Sequence, residues 1–521
     1  MDSILAFVTD QRPKVRKAAH HAICAILAAK GDLEIHPIAG HTSKYLMAKY
    51  QDDQNDDPKE ILHLLLLLKE ILPVLPKQHV KNSCEYVLQV MQTKRDRYTL
   101  SCGFQALYGL FAGRPNEKCL PPEMNAKLIS GTRLAIFSKF LLLYVSQYVF
   151  FNFSALYEFQ PALDDVQPSV AWLTVMQEAY INLSIQDAKL SLENVSKFFI
   201  KAIQYWTQGS DASLAATTAM KAVLLESIGP FVEAFSEDVT CHDHIKALFK
   251  PIQQGLKYAY HESWAQVLHL LATFLEICQG SFVDLFSTCL QELADLRGSS
   301  NFSYINELDY VVGKAVRTLG PQRVLAQIPL DLESEEFSRS WIFPVLRENI
   351  QHTNLAFFKT YFLPLAYECE KRANEKLLSE KNEIGHKSYT LIVEQIWALL
   401  PGFCNCPLDF EKSFETVVKD LGKKLSTHPQ VRMSIMAALR QLVLKNVEEH
   451  QTLLKKWAPK FILELCNLYV TKPVKEDTVS DQSGSKRTIM FEYQRNSVME
   501  TFKLLVPFTD SKDNFDKAFN G

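Results

Sequence analysis

Residues 10–27 read DQRPKVRKAAHHAICAIL and carry the pattern of one helix of a helical hairpin. Pro13 suits a first helical position, where its missing N–H would have no partner in any case. Asp10 is placed to accept hydrogen bonds from first-turn N–H groups. Apolar residues then recur with helical spacing and form one stripe, at Val15, Ala18, Ala19, Ala22 and Ile26. Because the alanines are small, the stretch predicts an amphipathic helix that a neighbouring helix approaches closely.

The Pro-x-Val-Arg phrase of this stretch returns near the other end of the chain. In THPQVRMSIMAALRQLV, residues 427–443, Thr427 takes the place of the acid and the apolar stripe runs through Val431, Ile435, Ala438, Leu439 and Leu442. Paired amphipathic helices repeated about every 40 residues are typical of HEAT-type arrays. One pair cannot bury its apolar face alone, so pairs stack. The sequence predicts an all-α, HEAT/armadillo-like helical-repeat solenoid, that is, a superhelix.

An alternative stays open, because the repeats between these two stretches match the pattern poorly. Unrelated helices in a globular α domain would also fit them. DASLAATTAMKAVL, residues 211–224, is an intermediate case, with Asp211 as a candidate helix cap.

Composition narrows the class of protein. The chain has 521 residues, of which 47% are hydrophobic and 22% charged, so it is not disordered throughout. Only 18 residues are glycine, and we find no convincing strand alternation, which disfavours β-sandwiches and barrels. The formal net charge of -3 is nearly balanced, so contact with RNA depends on local basic patches.

Several small basic clusters are candidates for such patches, although each would ordinarily be a solvated helix face. They are Arg12/Lys14/Arg16/Lys17, Lys94/Arg95/Arg97, Lys423/Lys424 and Lys455/Lys456/Lys460. We predict that Lys14, Arg16 and Lys17 contact RNA, because they lie on the polar side of the first clear repeat helix. For Arg16 the alternative is a role in packing between repeats.

Catalytic and ligand-binding motifs are missing from the sequence. It has no Gly-x-Gly-x-x-Gly, phosphate-binding loop, Gly-x-Ser-x-Gly or His-Glu-x-x-His. The clusters at 241–244 (Cys-His-Asp-His) and 404–407 (Cys-Asn-Cys-Pro) each lack the second pair of ligands that zinc usually takes. We therefore predict a protein that is not an enzyme and has no cofactor, no metal and no small-molecule substrate, with Cys404 as apolar filler and Cys241 at a helix start.

The cellular compartment follows from the cysteines and the apolar stretches. The eleven cysteines are scattered without paired spacing, and Met1 is followed directly by an acid, so we expect a reducing compartment, the cytosol or the nucleus. Residues 134–153 approach the length of a membrane span, but Lys139 and Asn152 interrupt them. We interpret this stretch as a buried helix and predict no membrane contact.

A dense apolar signal lies at 338–370 and 394–407. Pro344 and Pro364 stand near the starts of apolar helical stretches, and Pro401-Gly402 ends a helix that carries Trp397. The aromatic residues of the region are interpreted as core, not as platforms for nucleic acid. They are Trp341, Phe343, Phe357, Phe358, Tyr361 and Phe362.

SWIFPVLRENIQHTNLAFFKTYFLPLA, IWALLPGFC and DQRPKVRKAAHHAIC together resemble the ribosomal RNA processing protein twelve family of HEAT-repeat ribosome-biogenesis factors. The resemblance implies three regions. Residues 1–204 are N-terminal HEAT-like repeats, residues 205–408 are similar to the nucleolar signature domain, and residues 409–521 are further repeats. Within the last region, the polar composition of residues 471–488 predicts a mobile loop. It also marks Trp341, Pro344, Pro364, Trp397, Pro401 and Gly402 as signature residues with a structural role.

The resemblance implies a non-catalytic scaffold that supports pre-rRNA processing, small-subunit maturation and nuclear export. Its partners would be small-subunit pre-ribosomal particles, assembly factors and pre-rRNA, with Ran and karyopherins as transport partners. Its location would be the nucleolus and nucleus, with shuttling to the cytoplasm. The alternative is an importin-β-like nuclear transport receptor. Family members are longer, so we expect this chain to be a fragment, a short isoform or an incomplete gene model.

Overall fold

The computed structural model describes residues 1–29, 36–50, 57–130, 155–208, 210–332, 336–446, 451–470 and 484–509. Across these ranges the regular elements are all helices, which confirms the predicted all-α class. The chain divides into two compact units, Met1–Leu285 and Phe286–Gly521. The predicted region boundaries after residues 204 and 408 stay a prediction.

In its described residues the first unit has thirteen α-helices, which continue in places into short 3-10 or π turns. They are α1 (Asp2–Leu5), α2 (Pro13–Ala28), α3 (Ala39–Tyr50), α4 (Pro58–Ile71), α5 (Lys77–Lys94), α6 (Arg97–Ala112), α7 (Pro122–Ser130), α8 (Val166–Gln186), α9 (Ala188–Ala202), α10 (Ser210–Val223), α11 (Val232–Glu237), α12 (Val239–Gln254) and α13 (Trp264–Cys278).

These helices form two layers. In one layer α2, α4, α6, α8, α10 and α13 each pack against the next, and in the other α3 packs on α5, and α9 packs on both α7 and α12. Helices that follow each other in the chain, such as α5 and α6 or α8 and α9, pair across the layers. This is the stacking of helical pairs that the repeated phrase predicts.

The second unit follows the same plan. Its helices are α14 (Phe286–Arg297), α15 (Ile305–Leu319), α16 (Pro321–Gln327), α17 (Ile342–Asn349), α18 (Leu355–Phe357), α19 (Leu363–Leu378), α20 (Glu383–Trp397), α21 (Leu400–Phe403), α22 (Phe410–Thr427), α23 (Arg432–Asn446), α24 (Gln451–Val470) and α25 (Gly484–Leu505). Helix α22 contacts α18 and α24 in one layer, and α23 contacts α21 and α25 in the other. Residues 484–488, predicted as loop, are helical, and residues 471–483 lie outside the described residues.

The predicted apolar stripe is buried in the second copy of the phrase but only partly buried in the first. In the second copy Val431, Ile435, Ala438, Leu439 and Leu442 are all buried, which confirms the prediction. In α2 the buried residues are Ala19, Ile23 and Leu27, whereas Ala18 is exposed. The predicted stripe is therefore rotated, because burying the larger Ile23 and Leu27 removes more apolar area from water than burying alanines.

Two π-helical turns share one cause. Leu224–Ile228 and Phe358–Phe362 each end two residues before a proline, Pro230 and Pro364 respectively. A proline inside a helix has no N–H to donate, and its ring clashes with the carbonyl four residues earlier. A wider turn before the proline relieves that clash, so helical turns continue through Pro230 and Pro364.

The possible membrane span at 134–153 lies outside the described residues. Among the residues that are described, no helix has both the length and the apolar character needed to cross a bilayer.

Glycine at position 109 sets how closely α4 and α6 approach. A Cβ atom added at Gly109 would lie 1.9 Å from the carbonyl oxygen of Lys69 in α4. That acceptor is backbone, which cannot rotate away, so only a hydrogen atom fits between these helices. Gly422 in α22 is the contrasting case, because a Cβ there meets no atom within 4 Å.

We predict opposite effects from the same substitution at these two glycines. Gly109→Ala should lower the free energy of unfolding by about 1–3 kcal/mol, because the added methyl group separates α4 from α6. Gly422→Ala should leave stability unchanged or raise it by up to about 1 kcal/mol, because alanine favours the helix and touches nothing. Urea denaturation followed by circular dichroism measures both, and equal midpoints for the two variants would contradict the close approach.

Candidate nucleic-acid interface

The start of α2 is organised by Asp10. Its carboxylate accepts hydrogen bonds from the Arg12 backbone N–H at 2.8 Å and from the Arg12 guanidinium at 3.0 and 2.8 Å. These bonds lower the pKa of Asp10 to about 2. The sequence predicted acceptance from first-turn N–H groups, but the donor is Arg12, the residue just before the helix. Pro13 is the first helical residue, as predicted.

The arginine of the repeated phrase makes the same contact in both copies. Arg16 donates to the carbonyl oxygen of Asp10 at 2.8 Å, and Arg432 donates to that of Ser426 at 3.0 Å, six residues back in each case. Arg432 also donates to the carbonyl of Leu425 at 2.9 Å. A planar guanidinium suits this use because it bonds several carbonyls from one position. The arginine thus ties each helix to the chain segment before it.

Lys14 and Lys17 have a different environment from Arg16. Both are exposed on α2, three residues apart and hence on one face, and His21 extends that face by one turn. Arg16 is half-buried. The structure therefore separates the predicted trio into two open ammonium groups and one guanidinium engaged with the backbone. RNA binding by these residues stays a prediction.

Two other basic clusters are partly used in packing. Arg97 forms an ion pair with Asp165 at 3.3 Å, which joins the start of α6 to the segment before α8. In α24, Lys456 pairs with a glutamate of α22, and the Lys460 ammonium lies 4.1 Å from the centre of the Trp457 ring. These contacts involve exposed or half-exposed side chains, so they contribute little to stability.

Lys424 is not on a solvated face, which corrects the interpretation of the Lys423/Lys424 cluster. Its side chain lies on the buried face of α22, and only 4% of the residue is exposed. The ammonium donates to both carboxylate oxygens of Glu370 in α19, at 2.6 and 2.7 Å, and lies 3.1 Å from Nε2 of His428. Burial, together with this ammonium, lowers the pKa of His428. Lys423 is exposed as expected.

The signature residues surround an aromatic core. Phe358 contacts the rings of Trp397 and Phe403, at centroid distances of 5.9 and 5.5 Å, and Phe362 lies 5.6 Å from Phe403. Phe358, Phe362, Trp397 and Phe403 are fully buried. Phe357, Tyr361 and Trp341 are half-buried. Of the six aromatics predicted as core, Phe343, Phe358 and Phe362 are buried as predicted, and the other three are only partly covered.

Four signature positions, the prolines 344 and 364 and the pair Pro401-Gly402, place no large side chain in the core. Pro344 and Pro364 are exposed in the first turns of α17 and α19. Gly402 lies against Ile350, where an added Cβ would come within 2.9 Å of the Ile350 carbonyl oxygen. Pro401 precedes it in the short helix α21. The pair therefore allows α21 to approach the end of α17.

Asp409 is a structural residue that sequence reasoning missed. Its carboxylate accepts from the N–H groups of Leu355 at 2.6 Å and Ala356 at 3.0 Å, and from the Ser413 hydroxyl at 2.6 Å. Leu355 and Asp409 are separated by 54 residues, and so are Glu370 and Lys424. The equal offset places α18–α19 and α22 side by side in the same direction. Its position before α22 marks Asp409 as a candidate cap of that helix, but its carboxylate accepts from the first N–H groups of α18 instead. These distant partners have no sequence signal.

The cysteine that begins each of the two clusters is a packed side chain. Cys241 and Cys404 are buried, and burial raises the pKa of the Cys404 thiol well above its usual value. His242 lies 2.9 Å from the carbonyl oxygen of Ser236. Within the described ranges no group of three or more His, Cys, Asp or Glu side chains is arranged to hold a metal ion.

The sequence matches two families of known proteins. Residues 207–472 match the family described as "Ribosomal RNA-processing protein 12, HEAT repeats". Residues 1–102 match "RRP12-like, N-terminal HEAT repeats". Both matches agree with the stacked helical pairs seen in the two units.

Individual relatives extend over nearly the whole chain. The human "RRP12-like protein" is 32% identical across 98% of this chain, which spans 38% of that protein. "Ribosomal RNA-processing protein 12" of Saccharomyces cerevisiae is 22% identical across 100% of this chain, which spans 43% of it. Among solved structures, the chain is similar to Kap121p bound to Pho4p, with a TM-score of 0.36 and 14% identity, over 100% of this chain and 55% of that one.

Removing the Asp409 carboxylate should weaken the second unit. We predict that Asp409→Ala lowers its free energy of unfolding by about 2 kcal/mol, because two N–H groups and a hydroxyl lose their acceptor. Asp409→Asn keeps one acceptor oxygen and should lose less. The matched control is Asp295→Ala, which removes an exposed carboxylate of α14. Urea titration compares the three variants, and a control as damaging as Asp409→Ala would contradict the capping role.

Proposed function

Because this chain belongs to the ribosomal RNA-processing protein 12 family, we propose that it is a non-catalytic scaffold in ribosome biogenesis. The scaffold supports pre-rRNA processing, maturation of the small subunit and its nuclear export. The observation that carries the proposal is the family match across residues 207–472. The chain spans only 38% of the length of its human relative. The roles of that longer protein are therefore proposed for this chain.

The stacked architecture supplies a physical means of acting as a scaffold. Each helical pair contacts only its neighbours, so an array presents successive exposed helix faces to several partners at once. We propose small-subunit pre-ribosomal particles, their assembly factors and pre-rRNA as those partners, and the nucleolus and nucleus as the location. Ran and karyopherins are proposed as transport partners.

The buried cysteines of the described residues are poorly suited to act as nucleophiles. Seven of them are buried, and burial raises the pKa of the Cys278 thiol to about 12. A nucleophilic cysteine needs its thiolate, which such burial disfavours.

Lys14 and Lys17 are proposed as an electrostatic contact for RNA. Both ammonium groups are exposed on one face of α2, and they have no ion-pair partner in the described part of the chain. An RNA phosphate bound there would release counterions, which makes the affinity depend on salt. Arg16 is assigned a structural role instead, because its guanidinium is bonded to the Asp10 carbonyl.

Charge removal separates these roles. Lys14→Gln with Lys17→Gln should weaken binding to a pre-rRNA transcript and reduce the logarithmic salt slope by about 1.4, if each lysine contacts one phosphate of a single strand. Arg16→Gln should instead lower the unfolding midpoint. The control is Lys77→Gln with Lys81→Gln on the exposed face of α5. An unchanged slope in the Lys14/Lys17 variant, measured by fluorescence anisotropy, would refute the contact.

Affinity purification from nuclear extract tests the scaffold proposal as a whole. We expect the tagged chain to recover small-subunit precursor RNA together with assembly factors, and RNase treatment shows which proteins depend on RNA. The control is the Gly109→Ala variant, whose packing is impaired. Recovery of Ran and diverse cargo without pre-ribosomes, with cargo released by Ran-GTP, would replace the scaffold by an importin-β-like transport receptor.

A further inference from the structure

The segment between α12 and α13 displays a stacked pair of rings on the surface. The rings of Tyr258 and His261 are parallel to within 6°, with their centroids 4.8 Å apart. Tyr258 is 69% exposed, and His261 is also exposed. His261 Nδ1 lies 3.1 Å from the carbonyl oxygen of Tyr258, which orients the imidazole beneath the phenol. We call this pair the Tyr258–His261 platform.

The platform is held from beneath by residues of the same segment. Tyr260 packs its ring edge-on against Trp206, at 6.1 Å, and the Ser263 hydroxyl donates to the Trp206 carbonyl at 2.8 Å. Trp264 is 5% exposed, and its ring stands nearly perpendicular to both rings of the platform, at 6.2 and 6.3 Å. These contacts pack the segment that carries Tyr258 against Trp206, and Trp264 stands edge-on to the Tyr258 ring.

Three lysines precede the platform in the chain, two on α12 and one beside Tyr258. Lys246 and Lys250 lie on the exposed side of α12, one turn or about 6 Å apart along its axis, and Lys257 directly precedes Tyr258. All three side chains are exposed, and none has an ion-pair or hydrogen-bond partner in the described part of the chain. The stretch 239–264 contains two acidic residues. In the chain, Asp243 precedes all three lysines and Glu262 follows them.

We propose that the Tyr258–His261 platform and these three lysines form a binding site for single-stranded RNA. One base stacks on the open face of Tyr258, and the phosphates lie against Lys246, Lys250 and Lys257. Stacking on an aromatic face combined with a cationic track is how proteins bind single strands without reading sequence. The inference rests on the proposed role in pre-rRNA processing, which it deepens by naming the form of RNA.

The surroundings of the ring favour RNA over a protein partner. A protein interface has an apolar centre, whereas the residues next to Tyr258 in the chain are Lys257 and the small Ala259. The open face of the Tyr258 ring favours a single strand over a duplex. The bases of a duplex are stacked on each other and present no free face to the ring.

Substitution at Tyr258 tests the site. The full chain is titrated against a labelled uridine oligonucleotide of about 12 nucleotides, a length within the site sizes of single-strand binders. Tyr258→Ala should weaken binding about tenfold. Tyr258→Phe keeps the stacking face and should bind within about twofold of the original chain. The matched control is Tyr98→Ala at the start of α6, because Tyr98 is 76% exposed and has no ring stacked on it among the described residues.

A second variant set tests the lysines. Changing Lys246, Lys250 and Lys257 to Gln should reduce the logarithmic salt slope by about 2, at roughly 0.7 per phosphate contact of a single strand. An RNA duplex of equal length should bind more weakly than the oligonucleotide and should not respond to Tyr258→Ala. Thermal unfolding of each variant should match the original chain, since the altered side chains are exposed.

The outcomes separate this inference from the proposed function. Equal losses of RNA affinity in Tyr258→Ala and Tyr98→Ala would overturn the site and leave the scaffold proposal intact. The same conclusion would follow if the chain recovered pre-ribosomes but did not bind the oligonucleotide. Binding that depends on Tyr258 in a chain that recovers no pre-ribosomes would keep the site and remove the scaffold. Unchanged RNA affinity with loss of a co-purifying protein would make the platform a protein-binding surface instead.

Discussion

Lateral packing of like helices is the interaction on which both units depend. Each helix of a layer buries its apolar face on the next helix of the same layer, because no single helical pair can remove enough apolar surface from water. Where two helix backbones meet, this packing tolerates little change in side-chain size. At Gly109 the carbonyl of Lys69 leaves room for a hydrogen atom and nothing larger. Stability therefore depends on shape at the contacts between neighbouring helices as well as on apolar area.

Polar contacts fix the register of this packing. Arg16 and Arg432 bond carbonyls six residues back, which sets how each helix leaves the preceding segment. Asp409 and the pair of Lys424 with Glu370 connect residues 54 positions apart, so they align neighbouring repeats. A buried ion pair is a weak source of net stability, because both charges lose their hydration. Its geometric demand makes it better suited to specifying alignment, and the two equal offsets agree with that use.

Buried aromatic rings of this chain serve packing, whereas an exposed ring is open to contact with a ligand. The rings around Trp397 and Phe403 form core, and their burial excludes them from contact with a ligand. Tyr258 belongs to a short turn between helices, where the chain can expose a ring without weakening the packing of a layer. Turns at the edge of a repeat array are therefore the sites at which binding groups vary most freely.

Sequence alone determined the helical class and the stacking of helical pairs, because apolar periodicity and proline position act locally. It also identified Arg16 as a residue with a packing alternative. Tertiary structure decided which face of α2 is buried, that Lys424 is internal and that Asp409 caps a helix 54 residues away. It also brought Tyr258 onto His261. These features depend on contacts between segments far apart in the chain or on the detailed path of a turn, and neither leaves a periodic signal in the sequence.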